Sequence, residues 1–119
     1  MKLRLRGNSI RLRLNRQDVD RLASGNILEE QVLFPASTRF CYCLEPSTDG
    51  AAAQFDGTSM RIAVPSAAIS EWATGQEIGL YFDFPAGEHP LKVSIEKDLE
   101  CLHDSGDEPD PEAFPRTDL

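Results

Sequence analysis

The sequence predicts a β-rich α+β fold built from two copies of one β-β-α-β-β unit, and three observations carry that expectation. Gly7-Asn8-Ser9-Ile10-Arg11-Leu12 returns fifty residues later as Gly57-Thr58-Ser59-Met60-Arg61-Ile62, and the match runs without a gap to the identical triplets Phe34-Pro35-Ala36 and Phe84-Pro85-Ala86. Repetition over this length marks a duplicated supersecondary unit. Apolar and polar residues alternate on both sides of Gly7-Asn8 and of Gly57-Thr58, which is the period of a half-buried strand. Each strand pair is then followed by apolar residues at helical spacing and a stop glycine, Gly25 or Gly75.

Leu3 and Leu5 alternate with Lys2, Arg4 and Arg6, and Ile10, Leu12 and Leu14 alternate with Arg11 and Arg13, so two strands form a hairpin around Gly7-Asn8. Asn15 is a good N-cap, with Asp18 three residues on to complement the helix dipole. Val19, Leu22 and Ala23 fall on one helical face. Leu28, Val32 and Phe34 indicate a third strand and Phe40–Glu45 a fourth. Pro46-Ser47-Thr48-Asp49-Gly50 is a loop joining halves 1–46 and 51–98. In the second half, 51–56 and 60–64 flank the turn at Gly57-Thr58. Pro65 opens a helix that buries Ile69, Trp72 and Ala73, and 78–84 and 91–96 are the last strands. Residues 1–103 thus read as one domain. Residues 104–119 hold six acids against one arginine, a composition that cannot bury enough apolar surface to fold alone.

With 119 residues and 40% apolar content the chain supports a single core. No secretory segment and no membrane-spanning run is visible, and three Cys cannot all pair internally, so a cytoplasmic protein with reduced thiols and no membrane partner is expected. The net charge of −8 is unevenly spread: residues 1–25 carry seven cations against two acids. The overall sign disfavours nucleic acid as a general partner and leaves a local basic face open.

Ile62-Ala63-Val64-Pro65, followed by a short amphipathic helix, Gly75 and an alternating strand, resembles the swapped-hairpin unit of AbrB-type regulators and MazE-type antitoxins. Two such units on one chain imply a fused pseudo-dimer, a closed barrel with approximate two-fold symmetry. Asn15 replaces the proline in the first half. The whole chain is also similar, at Lys2–Ser9 and Glu96-Lys97-Asp98, to an uncharacterised small bacterial family.

Lys2, Arg4 and Arg6 share one strand face with Arg11 and Arg13 of the hairpin partner. Like charges opposed across a strand pair are destabilising, which points to an anionic or protein partner, whereas the competing readings are a screened, solvated face and docking of the chain's own acidic segment 104–119, with Phe114 as an apolar anchor. In the swapped-hairpin family such arginines contact DNA, which the resemblance carries to Arg4, Arg6, Arg11 and Arg13. The matching positions Ala52, Gln54, Asp56, Arg61 and Ala63 are mostly uncharged.

Cys41, Cys43, Cys101 and His103 are of the types that hold Zn²⁺, but their spacing is not that of a zinc knuckle. At an offset of fifty Cys41 and Cys43 fall on Leu91 and Val93, so buried thiols without metal are expected. No cofactor is called for. His89 and His103 stand apart from any nucleophile motif, and Glu96, Asp98 and Glu100 read as a solvated strand face. The sequence therefore points to a non-enzymatic binding protein that uses its arginine hairpin and acidic segment to engage a macromolecular partner. The alternative is a small-ligand or metal-binding barrel.

Overall fold

The computed structural model describes residues 1–99. Its elements run β1 (Lys2–Arg6), β2 (Ser9–Leu14), α1 (Arg16–Ala23), β3 (Leu28–Phe34), β4 (Thr38–Ser47), β5 (Ala52–Phe55), β6 (Ser59–Pro65), α2 (Ser66–Thr74), β7 (Gly79–Phe84) and β8 (Leu91–Lys97). Cys101, His103, Glu100 and the acidic segment 104–119 lie outside the described residues.

The two glycine hairpin tips and the cap of α1 have local causes. Gly7 and Gly57 take positive φ (55° and 103°) at the two equivalent hairpin tips, a conformation glycine adopts without Cβ strain. Beside the second tip the Asp56 carboxylate accepts the backbone N–H of Thr58 (2.9 Å) and of Ser59 (2.8 Å), and these bonds hold its pKa below the usual carboxylate value. Asn15 caps α1 reciprocally: its side chain accepts the Asp18 N–H at 2.8 Å while the Asp18 carboxylate accepts the Asn15 N–H at 3.2 Å.

The strands form two four-stranded mixed sheets, ordered β1-β2-β8-β7 and β3-β4-β6-β5. Each sheet takes one hairpin from each half of the chain, and the hairpins meet at a parallel seam, β2 with β8 and β4 with β6. Apolar residues of both sheets and of both helices share a single core that includes Leu12, Leu44, Ile62 and Ile95, with Val19, Leu22, Ile69 and Trp72 from the packed helices. Trp72 is buried, and its indole N–H donates to the Ile78 carbonyl at 2.9 Å. No helix among the described residues is long and apolar enough to cross a membrane.

Two expectations are corrected here. The closed barrel implied by the swapped-hairpin resemblance does not form: β1 and β7 are the edges of one sheet and β3 and β5 those of the other, so neither ladder returns to its start. Two of these four edges are short, five residues in β1 and four in β5, and β1 is lined with cations. Both features keep a strand edge from recruiting another strand.

The second correction concerns the ungapped repeat, which holds only through the helices. Ile10 lies beside Val93, whereas Met60, fifty residues after Ile10, lies beside Tyr42, so β4 and β8 correspond at a spacing of 51. The Phe-Pro-Ala triplets open turns of different length: Phe34 pairs with Thr38, but Phe84 pairs with Leu91. Cys41 and Cys43 therefore match Lys92 and Ser94, not Leu91 and Val93. They lie half-buried on the outer face of their sheet, and the expectation of buried core thiols fails for that reason.

Candidate functional site

Strand alternation places Leu3, Leu5, Ile10, Leu12, Val93 and Ile95 toward the core, so the intervening residues of the first sheet form its outer face. Three cross-strand rows result. Lys2, Arg13, Glu96 and Gly79 make the first, Arg4, Arg11, Ser94 and Tyr81 the second, and Arg6, Ser9, Lys92 and Asp83 the third. The hairpin thus brings together all four arginines singled out in the sequence, with Arg4 directly opposite Arg11.

A depression of about 410 Å³ opens between the second and third rows. Arg4, Arg6, Arg11 and Lys92 line it with the hydroxyls of Ser9 and Ser94 and with Ile10, and none of these lining residues is acidic. The carboxylates of the face stand around it. Glu96 lies 3.4 Å from Arg11 Nε and accepts the Tyr81 hydroxyl at 2.9 Å, and Asp98 lies 2.8 Å from Lys2 Nζ. Burial, reinforced by the bond to Glu96, raises the Tyr81 phenol above its usual pKa. That phenol lies over Gly79, where a Cβ would come within 2.7 Å of the hydroxyl oxygen. Glycine is what lets the ring lie along the strand and reach Glu96.

These acids were not legible as partners of the arginines. Glu96 and Asp98 read as a solvated face, and they are more than eighty residues from β1 in sequence. Lys92, Ser94 and Tyr81 were likewise missed. The alternation of Lys92, Ser94 and Glu96 with Val93 and Ile95 marks them as outward-facing, but only the parallel pairing of β8 with β2 assigns them to this face.

The outer face of the second sheet carries Gln54, Arg61, Cys43 and Glu29 in one row and Ser59, Cys41 and Gln31 in the next. Cys41 Sγ lies 3.9 Å from Gln31 Oε1. Burial raises the Cys43 thiol pKa, and a hydrogen bond from Arg61 opposes it. Among the described residues no group of three metal-binding side chains converges, and Cys101 and His103 lie beyond them.

At the hairpin-turn end of the core an apolar cleft of about 350 Å³ separates the sheets. Leu5, Ile10, Phe40, Phe55, Met60 and Leu91 line it, and Ile10 also borders the cationic depression. The β1–β2 turn is fixed here by the Asn8 amide, which donates to the carbonyls of His89 (3.4 Å) and Pro90 (3.1 Å). His89 thus contributes its backbone to the turn.

The chain matches a family of unknown function (DUF7009) over residues 1–118, and it belongs to that family. No curated protein and no solved structure matches it.

Proposed function

We propose that this chain is a non-enzymatic binding protein whose first sheet engages an acidic segment of a partner protein on its outer face. The observation that carries the reading is the clustering of Arg4, Arg6, Arg11 and Lys92 around one depression, whose other lining among the described residues is Ser9, Ile10 and Ser94. Guanidinium groups bind carboxylates in a bidentate fork that an ammonium cannot reproduce. Exposed ion pairs contribute about 0.2–1 kcal/mol each, so useful affinity needs several contacts at once, and rows of cations at strand spacing supply them. A protein of net charge −8 repels a polyphosphate outside this face, which favours a short acidic peptide over an extended nucleic acid.

The test compares labelled poly-glutamate with duplex DNA at low and high salt, using the natural chain and an Arg4→Gln/Arg6→Gln/Arg13→Gln variant. Salt-sensitive poly-glutamate binding that the variant loses is the expected result. Equal binding by the variant, or tighter binding of the duplex than of poly-glutamate, overturns the reading.

A further inference from the structure

We infer that residues 104–119 of the same chain occupy this surface when no partner does, with Phe114 seated in the apolar cleft and the flanking acids on the arginine rows. The inference rests on the reading that the face takes acidic segments, and it adds the occupant and a second anchoring point.

Three observations support it. The cleft and the cationic depression lie on opposite sides of the same β1–β2 hairpin, with Leu5 and Ile10 lining the first and Arg4, Arg6 and Arg11 the second, so a segment reaches both around the open edge of β1. Leu5 and Phe55 stand 60% and 65% exposed at the cleft, so an apolar group seated there covers surface that otherwise contacts water. An occupant of both features needs one large apolar residue set among carboxylates. Residues 104–119 supply that pattern, with six acids, one arginine and a single aromatic residue, Phe114.

The described chain also ends in a suitable place. Asp98 is tied to Lys2, at the start of the cationic rows, and Leu99 borders a groove with Arg16 and Val19. The fifteen residues from Leu99 to Phe114 span at most about 50 Å when extended. The five residues of β1 cover about 17 Å. The reach from one end of the face to the other is therefore ample, and tethering places the segment at an effective concentration in the millimolar range. An external acidic partner must displace it.

The experiment uses the full chain and a full-length variant with the six acids of 104–119 converted to their amides. Nuclear Overhauser contacts from the Phe114 ring to the Leu5 and Met60 methyls are expected in the natural chain at low salt and absent in the amide variant. Poly-glutamate should bind the variant about tenfold more tightly, because the tethered competitor is gone. A Phe114 ring without such contacts, together with equal poly-glutamate affinity for the two proteins, overturns the inference and leaves the surface reading standing. Poly-glutamate binding to neither protein overturns both. Contacts seen only between differently labelled chains assign the cleft to a second copy and overturn the intramolecular arrangement.

Discussion

The outer faces of the two sheets share one strand order and differ in almost every side chain. Arg11 Nε lies 3.4 Å from Glu96 Oε1 on the first, and Arg61 Nε lies 3.4 Å from Glu45 Oε1 on the second. Each pair crosses the parallel seam that joins the halves of the chain. Around that shared pair the faces part. Lys2, Arg4, Arg6 and Arg13 stand where the second sheet has Ala52, Gln54, Asp56 and Ala63. The arginine that recurs is accounted for by the seam it bridges. The four cations that do not recur include Lys2, which pairs with Asp98 at 2.8 Å, and the second sheet forms without any of the four. The contrast separates scaffold from candidate surface within one sheet.

The comparison breaks most visibly if the scaffolds beneath the faces are unequal. Leu12 and Ile62 occupy matching positions and are both fully buried. Leu12→Ala and Ile62→Ala should each cost about 2–5 kcal/mol in denaturant unfolding. A full-sized loss at one and almost none at the other would show that the sheets are not equivalent supports.

A smaller effect comes from the turns, where the halves diverge. Ala36 and Ser37 hold φ of 64° and 58° between β3 and β4, whereas the positive φ between β7 and β8 falls on Gly87. The left-handed conformation costs a non-glycine residue roughly 1–2 kcal/mol. Ala36→Gly should therefore raise the unfolding midpoint, offset in part by the greater freedom of glycine in the unfolded chain. A lowered midpoint would contradict the turn geometry.

The recurring ion pair should be weak on both faces. Double-mutant cycles on Arg11/Glu96 and Arg61/Glu45 should each return about 0.2–1 kcal/mol. A strong coupling on one face and none on the other would end the claim that the pair belongs to the shared scaffold.

The smallest effect is spectroscopic and belongs to the first sheet alone. The Tyr81 phenol is raised because its neutral form is favoured, by burial and by the bond it donates to Glu96. That contribution is complete below the ordinary phenol pKa and is lost as pH rises through the folded value. Gly79→Ala displaces the ring, so the Tyr81 ionisation followed by ultraviolet absorbance should move down toward that ordinary value. Tyr81→Phe identifies the transition against Tyr42, and an unmoved titration would refute the role given to Gly79.

Much of the scaffold was legible because it is local. The Asn15 cap, the glycines at both hairpin tips and the helix faces of Val19, Leu22, Ile69 and Trp72 all follow from short-range spacing. The cationic face was legible too, since Arg4 and Arg11 meet across a hairpin whose turn fixes the register. What escaped depended on long-range pairing. The one-residue slip between β4 and β8 moved Cys41 and Cys43 from the core to the outer face, because a slip of one reverses every side chain of a strand. The partners Glu96, Lys92 and Tyr81 reach the arginines only through the parallel seam, which no local pattern announces. The open sheet edges were hidden for the same reason, as strand runs alone do not show whether a ladder closes.

The central claim is that the cations peculiar to the first sheet form the binding surface. It is tested most directly by following the guanidinium Nε–Hε resonances of the full chain while poly-glutamate is added at low salt. Arg4, Arg6 and Arg13 should shift together and return when salt is raised, while Arg39 and Arg61 on the second sheet stay in place. Equal shifts on both sheets, or movement of Arg39 and Arg61 alone, would contradict it.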